Sequence, residues 1–202
     1  MTRKLHRHFV YDRRMEKLSS CFANSLTADS SVLDVGCGDG KIGKLIMDKI
    51  QAHIEGIDVL VRDTTYIPVK LFDGYNIPFD NNYFDFAIII DVLHHTDDPL
   101  RLLKEIKRVV RKKIFIKDHL LEGFLAEPTL RFMDYVGNAH YKVRLPYNYL
   151  SKDEWLKIFD DFSLSVSQWK EELNLYPPWN LVFDRKLHFI ADLVKSEPYK
   201  IT

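Results

Sequence analysis

Val32-Leu33-Asp34-Val35-Gly36-Cys37-Gly38-Asp39-Gly40 is the stretch whose reading decides the fold. An apolar run carrying one acid breaks into glycines at alternate positions, and a helical pattern follows at once from Lys41. This order predicts a buried strand, a tight turn and a helix N-terminus. Glycines let the backbone approach a ligand closely, and the first turn of a helix offers it unpaired N–H groups. The acids at Asp34 and Asp39 constrain which ligand. They repel a pyrophosphate and attract a nucleotide with a cationic amino-acid tail. Asp39 itself suits an exposed turn or helix cap better than a ligand contact.

Two glycine patterns overlap here. Gly38, Gly40 and Gly43 match GxGxxG, the dinucleotide fingerprint, and keep a nicotinamide-dependent oxidoreductase open as an alternative. Gly36, Gly38 and Gly40 form GxGxG, and only in this pattern does the first glycine follow the strand directly. The stretch resembles motif I of the class I S-adenosylmethionine-dependent methyltransferases. S-adenosylmethionine carries an ammonium and a sulfonium and no phosphate, which suits the sign of the acids.

The next segments arrive in the order that family requires. His53 to Asp58 reads as a second strand ending in an acid, placed where a carboxylate accepts both ribose hydroxyls of an adenosine. Val69 to Gly74 reads as a short third strand closing on Asp73-Gly74. By resemblance Asp73 accepts the adenine amino group, although an Asp-Gly turn explains the pair equally well. Phe84 to Asp91 has the unbroken apolar core of a central parallel strand covered on both faces. Asp91-Val92-Leu93-His94-His95-Thr96-Asp97-Asp98-Pro99 then looks like the "LHH…DP" stretch of the methyltransferase type 11 branch. Pro99 suits the first helical position, Asp98 the N-cap, and Leu100, Leu103, Ile106 and Val110 a helical stripe. Adjacent histidines point in different directions and no cysteine stands nearby, so no metal site is expected. His94 is expected beside the cofactor instead. Lys112 to His119 reads as the fifth strand.

The resemblance covers residues 31–117 and implies a Rossmann-like α/β fold. Its doubly wound seven-stranded sheet has the order 3-2-1-4-5-7-6, the last strand antiparallel, with helices on both faces. It implies S-adenosyl-L-methionine as cofactor, contacted by Asp34, Gly36, Cys37, Gly38, Asp58, Val59, Asp73, Gly74, Asp91 and His94.

The chain has 202 residues, a length that suits one domain. Residues 1–30 are assigned to a leading helix, 31–119 to the cofactor-binding core, 120–150 to a cap over the substrate, and 151–202 to a helix and β-hairpin. Lys plus Arg and Asp plus Glu are 29 each, so the net charge is zero and no nucleic-acid partner is expected. The basic N-terminal residues Arg3, Lys4, Arg7, Arg13 and Arg14 read as a solvated helix face. Two cysteines imply no disulfide framework, and no signal peptide, membrane span or repeat is apparent, so a cytoplasmic protein is expected. The oligomeric state is open.

Phe9 to Leu26 is read as a helix with Met15, Leu18, Phe22 and Leu26 on one face; Tyr11 is expected to pack more than to reach the pocket. Leu120 to Tyr149 is far longer than a strand–helix connection needs and is rich in aromatics, among them Phe124, Phe132, Tyr135, His140, Tyr141, Tyr147 and Tyr149. It reads as a cap, or equally as the core of a small extra helical layer. Ser151 to Glu154 looks like a capping box for a helix through Phe159, Leu164 to Trp169 like a sixth strand and His188 to Val194 like a seventh. Their connection carries Tyr176, Pro177, Pro178, Trp179 and Phe183, which would face the cap over one mouth. A small organic acceptor, lipid-like or aromatic, follows. His119, just past the fifth strand, is the candidate base, with Asp118 to orient it and His140 as second choice. A histidine merely satisfied at a strand end is an equal reading. A non-catalytic, cofactor-binding partner subunit is the other alternative.

Overall fold

The computed structural model describes residues 11–138 and 145–196. Seven strands form one sheet: β1 (Ser31–Val35), β2 (His53–Asp58), β3 (Val69–Leu71), β4 (Phe84–Ile90), β5 (Val110–His119), β6 (Leu164–Lys170) and β7 (His188–Lys195). Their order is β3-β2-β1-β4-β5-β7-β6, as the resemblance implies. β1 to β5 pair in parallel, whereas β7 runs antiparallel to both β5 and β6.

Period-2 alternation divides the apolar strands between two cores. Phe86 and Ile88 of β4 join Val32 and Ile54 under α1 (Arg13–Ala23) and α2 (Lys41–Ile50). Ala87 and Ile89 join Leu33, Val35 and Ile57 under α3 (Pro99–Val109) and α5 (Lys152–Asp161). The central strands have no solvent face, which is why their sequence shows no polar alternation.

Several boundaries differ from expectation. Among the described residues the leading α-helix is Arg13–Ala23, ending before Leu26; Phe9, Arg3, Lys4 and Arg7 lie outside the described residues. Met15, Leu18, Phe22 and Leu26 are all buried. The stripe on α3 is Leu102, Leu103, Ile106 and Val109; Leu100 is 43% exposed, and Val110 already opens β5 because the chain passes from helix to strand without a loop. Asp98 accepts the N–H of Arg101 and Pro99 opens the helix. At α5 the Ser151 hydroxyl accepts the N–H of Glu154, and the Glu154 carboxylate accepts the N–H of Ser151. The segment after β5 contains α4 (Ala126–Asn138), and the β6–β7 connection contains the short α6 (Asn180–Phe183).

The chain leaves β1 toward β2 and β3, then returns to β4 on the other side. A crevice opens at such a reversal, beyond the carboxyl ends of the strands.

Candidate active site

A cavity of about 1010 Å³ occupies that crevice. Its floor near β1 and β2 is the glycine loop with Asp34, Cys37, Asp39 and Asp58; its far wall has Asp91, His95 and His119. Phe132, Met133 and Asp134 of α4 face Tyr176, Trp179 and Phe183 from the β6–β7 connection. The rings of Phe132 and Phe183 stack across the top, centroids 6.3 Å apart. The two aromatic segments thus meet over one mouth. Phe124 and Tyr135 remain 81% and 63% exposed and take no part.

The loop geometry follows from its glycines. Gly36 (φ +67°) donates its N–H to Ile57 O at 2.8 Å, and a Cβ there would lie 2.5 Å from Val92 Cγ2. Gly38 (φ +61°) has nothing within 4 Å of its would-be Cβ, because that direction is open beside the cavity. Its N–H donates to Asp58 Oδ2 at 2.8 Å, while Asp58 Oδ1 accepts the N–H of Leu60 at 2.9 Å. Asp58 therefore supports the loop as well as facing the cavity. Asp39 accepts the N–H of Lys41 at 3.0 Å, the cap-like role expected of it.

Burial, with Asp58 and Asp39 nearby, pushes the Asp34 carboxyl up to about 8. The same burial and the Asp34 charge push the Cys37 thiol up, so it stays protonated. Acids rather than cations crowd the loop, the opposite of a phosphate site.

Of the residues expected at the cofactor, Asp34, Gly36, Cys37, Gly38, Asp58, Val59, Asp73, Gly74 and Asp91 all line the cavity. Asp73 does so from an exposed Asp-Gly turn. Its Oδ1 accepts the N–H groups of Tyr75 and Asn76 at 2.8 and 2.6 Å, and these bonds hold its carboxyl below the usual range. His94 is a correction: only 1% exposed, it lies behind the wall, and the adjacent His95 takes the lining position. In the 3₁₀ turn Leu93–His95 the two rings lie 3.9 Å apart, and Asp118 Oδ1 holds His94 Nδ1 inward at 2.5 Å. Tyr11, expected to pack, is on the wall. His140 and Tyr141 lie outside the described residues.

The catalytic candidate His119 is 4% exposed and reaches the cavity. Its Nε2 lies 3.3 Å from Asp134 Oδ1 and its Nδ1 3.2 Å from His188 Nδ1. β7 begins at His188 and runs antiparallel, so its first residue sits opposite the last of β5. Asp118 does not orient the His119 ring; it accepts the N–H groups of His119 and Leu93 and the ring of His94. Burial, with the charges of His94 and Lys117, drives His119 well below the ordinary histidine range. Burial alone would depress His94, but Asp118 and Asp134 outweigh it and carry it up to about 10.

Asp91, at φ +55°, closes β4 with its carboxylate between Arg14 and the fully buried Lys117. Burial opposes its charge, yet these cations hold it well below the usual carboxylate range. Arg14, read from sequence as a solvated basic residue, is instead part of the cavity wall. Asp134 and His188 carry no signal in sequence, because nothing local links them to His119; Tyr149, one of the cap aromatics, donates its hydroxyl to Asp134.

The family profile described as a methyltransferase domain matches residues 6–168. The chain is 33% identical over 115 residues to a tRNA (carboxymethyluridine(34)-5-O)-methyltransferase of Schizosaccharomyces pombe, covering 52% of this chain and 50% of that protein. It is 28% identical over 130 residues to an O-methyltransferase of Pyrenophora dematioidea, covering 57% and 47%. The chain thus spans about half the length of these relatives. Among solved structures, a chain of the Haloferax volcanii complex between the Trm112 methyltransferase activator and its candidate methyltransferase superposes with TM-score 0.72 at 16% identity, covering 96% and 93%. A SAM-dependent methyltransferase from Aquifex aeolicus does so with TM-score 0.62 at 18% identity, covering 94% and 92%. At these identities the structures speak for the fold alone.

Proposed function

Because this chain belongs to the class I S-adenosylmethionine-dependent methyltransferases, we propose that it transfers a methyl group from S-adenosylmethionine to a small organic acceptor with a flat or apolar surface. One observation carries the proposal: a single cavity has acids at its glycine-loop end and stacked aromatics with His119 at the other. The cationic tail and ribose of the cofactor suit the first end, Asp34 and Asp58. The acceptor suits the second, beneath Phe132 and Phe183. The volume, about 1010 Å³, is at the top of the ~300–1,000 Å³ range of ligand pockets and leaves room for both molecules.

In the reaction the acceptor's lone pair forms a bond to the methyl carbon. The S–C electron pair returns to sulfur, giving S-adenosylhomocysteine, and the acceptor's proton passes to a neighbouring base or to water. The sulfonium supplies the driving force, so holding the two reactants in line supplies much of the catalysis. We assign His119 to the acceptor's reacting atom, since it reaches the cavity from the end of β5. The two free cysteines, Cys21 and Cys37, fit a reducing cytoplasm. Among the described residues no helix is long and apolar enough to cross a membrane.

Calorimetric titration with S-adenosylhomocysteine, with NADH in parallel, tests the cofactor. Micromolar binding of the former alone is expected; binding of NADH alone would overturn the proposal. A tRNA acceptor is the second reading, favoured by the Schizosaccharomyces pombe relative and disfavoured by zero net charge. Methyl incorporation into total tRNA from labelled cofactor would establish it. A cofactor-binding partner subunit would show affinity without turnover on any acceptor.

A further inference from the structure

Three buried side chains from distant parts of the chain meet beside the cavity: His94 from the turn after β4, His119 from the end of β5 and Asp134 from α4. The geometry points to a site for one divalent transition-metal ion, held by the two imidazoles and the Asp134 carboxylate, with its remaining position open to the cavity.

The spacing is that of a ligand shell. One donor atom from each residue lies within 4.8 Å of the others. His94 Nε2 to Asp134 Oδ2 and His119 Nε2 to Asp134 Oδ1 are both 3.3 Å. Each imidazole thus faces a different oxygen, so an ion between the rings, at bonds of about 2.0–2.2 Å, engages the Asp134 carboxylate from both sides.

His94 Nε2 adds an independent pointer. It is buried and makes no hydrogen bond among the described residues, although Asp134 Oδ2 stands 3.3 Å away as an ion-pair contact. A buried imidazole nitrogen without a partner is costly, and coordination removes that cost. Its other nitrogen is already committed to Asp118 Oδ1. That carboxylate also accepts the N–H groups of Leu93 and His119, so one residue fixes both histidine-bearing segments. On the opposite side the Tyr149 hydroxyl donates to Asp134 Oδ2, and His119 Nδ1 faces His188. Ligating histidines characteristically rest their second nitrogen on a carboxylate, as His94 does on Asp118.

Two imidazoles and one carboxylate select zinc, iron, cobalt or manganese over magnesium or calcium, which prefer all-oxygen shells. His119 and Asp134 lie on the cavity wall and His94 behind it, so the open position faces the acceptor's space. The ion's role there, coordinating an acceptor oxygen and easing loss of its proton, rests on the methyl-transfer reading; the site itself does not. Coordination also gives His119 its task as a ligand at the reacting atom.

The test uses tag-free, chelator-stripped full-length protein titrated with cobalt(II), read by visible d–d absorption and by metal analysis after gel filtration. One tightly held equivalent is expected. His119→Ala and Asp134→Asn should each weaken it by more than 100-fold, and Asp118→Asn, one shell further out, by about 10–100-fold. His53→Gln, on an exposed residue at the start of β2, should leave it unchanged. S-adenosylhomocysteine titration of every variant reports whether its fold and cofactor site survive. No stoichiometric cobalt in the wild type, or binding that persists in the His119→Ala/Asp134→Asn double variant, overturns the site. If cobalt fails while S-adenosylhomocysteine binds, the metal alone falls and methyl transfer stands. An ion-paired cluster, His94 charged between Asp118 and Asp134, gives that result.

Discussion

Gly38→Ala separates ligand approach from fold. Gly38 sits at φ +61°, and a Cβ built on it meets nothing within 4 Å. The added methyl therefore clashes with no atom of the described residues, and its cost to the free protein is conformational, about 1–2 kcal/mol for a non-glycine residue in the left-handed region. For a chain of this length that is about 2–8 °C in Tm. The methyl does enter the space beside the cavity where the cofactor must pass close to the backbone. Forcing a methyl into a filled contact costs about 1–3 kcal/mol, or about 5- to 150-fold in Kd. Calorimetry with S-adenosylhomocysteine, alongside thermal melting, gives both numbers. Gly36→Ala is the contrast: its Cβ would stand 2.5 Å from Val92 Cγ2, so it damages the loop with no ligand present. A Gly38→Ala protein that melts as expected and binds S-adenosylhomocysteine as tightly as wild type would refute the placement of cofactor against this loop.

Asp58→Ala should weaken S-adenosylhomocysteine by about 1–3 kcal/mol, the scale of lost hydrogen bonds to a charged group. It should also lower Tm, because the N–H groups of Gly38 and Leu60 lose their acceptor; unchanged Kd removes Asp58 from the site. Asp34, pushed up to about 8, holds a proton in the free protein at neutral pH, whereas a cationic cofactor tail favours its carboxylate. Binding should then release close to one proton and tighten nearly tenfold from pH 6 to pH 7. Calorimetry in two buffers of different ionisation enthalpy measures this, and a flat Kd without proton release excludes Asp34 as the tail's partner. The sign for stability is the reverse. A carboxyl raised above its unfolded value favours the free fold most at acid pH, and this contribution fades as pH rises from about 4 to about 8. His119→Asn should leave the Kd of S-adenosylhomocysteine within about twofold and lower turnover by about 10²-fold or more. Unchanged turnover on a true acceptor would remove it from the reaction.

The glycine-loop half of the cavity was legible because its parts are local. A strand, a glycine turn and a helix start are written in nine consecutive residues, and Asp58 closes the very next strand. Burial on both faces made those strands read as apolar runs, and the family's order then supplied the sheet. Asp73 shows the limit of that reasoning. Its residue type satisfies both the adenine role and the Asp-Gly turn, and the structure engages its carboxylate in the turn while leaving it on the wall.

The other half was illegible because it is assembled by topology. Adjacency of His94 and His95 predicts that they point apart, yet their ring centroids lie 3.9 Å from each other, with only His95 on the cavity wall. His94 turns inward because Asp118, at the end of a neighbouring strand, accepts its Nδ1 proton. His188 reaches His119 only because β7 runs backwards into the sheet. Asp134 arrives on a helix whose own pattern signals no more than a cap. Each residue alone has an ordinary explanation as a strand-end or helix polar group. Five of them converging without solvent does not, since buried polar atoms need hydrogen bonds and His94 Nε2 makes none among the described residues. On the proposed methyl-transfer reading that surplus ligand capacity faces the acceptor's end of the cavity, and it distinguishes this wall from one that only packs.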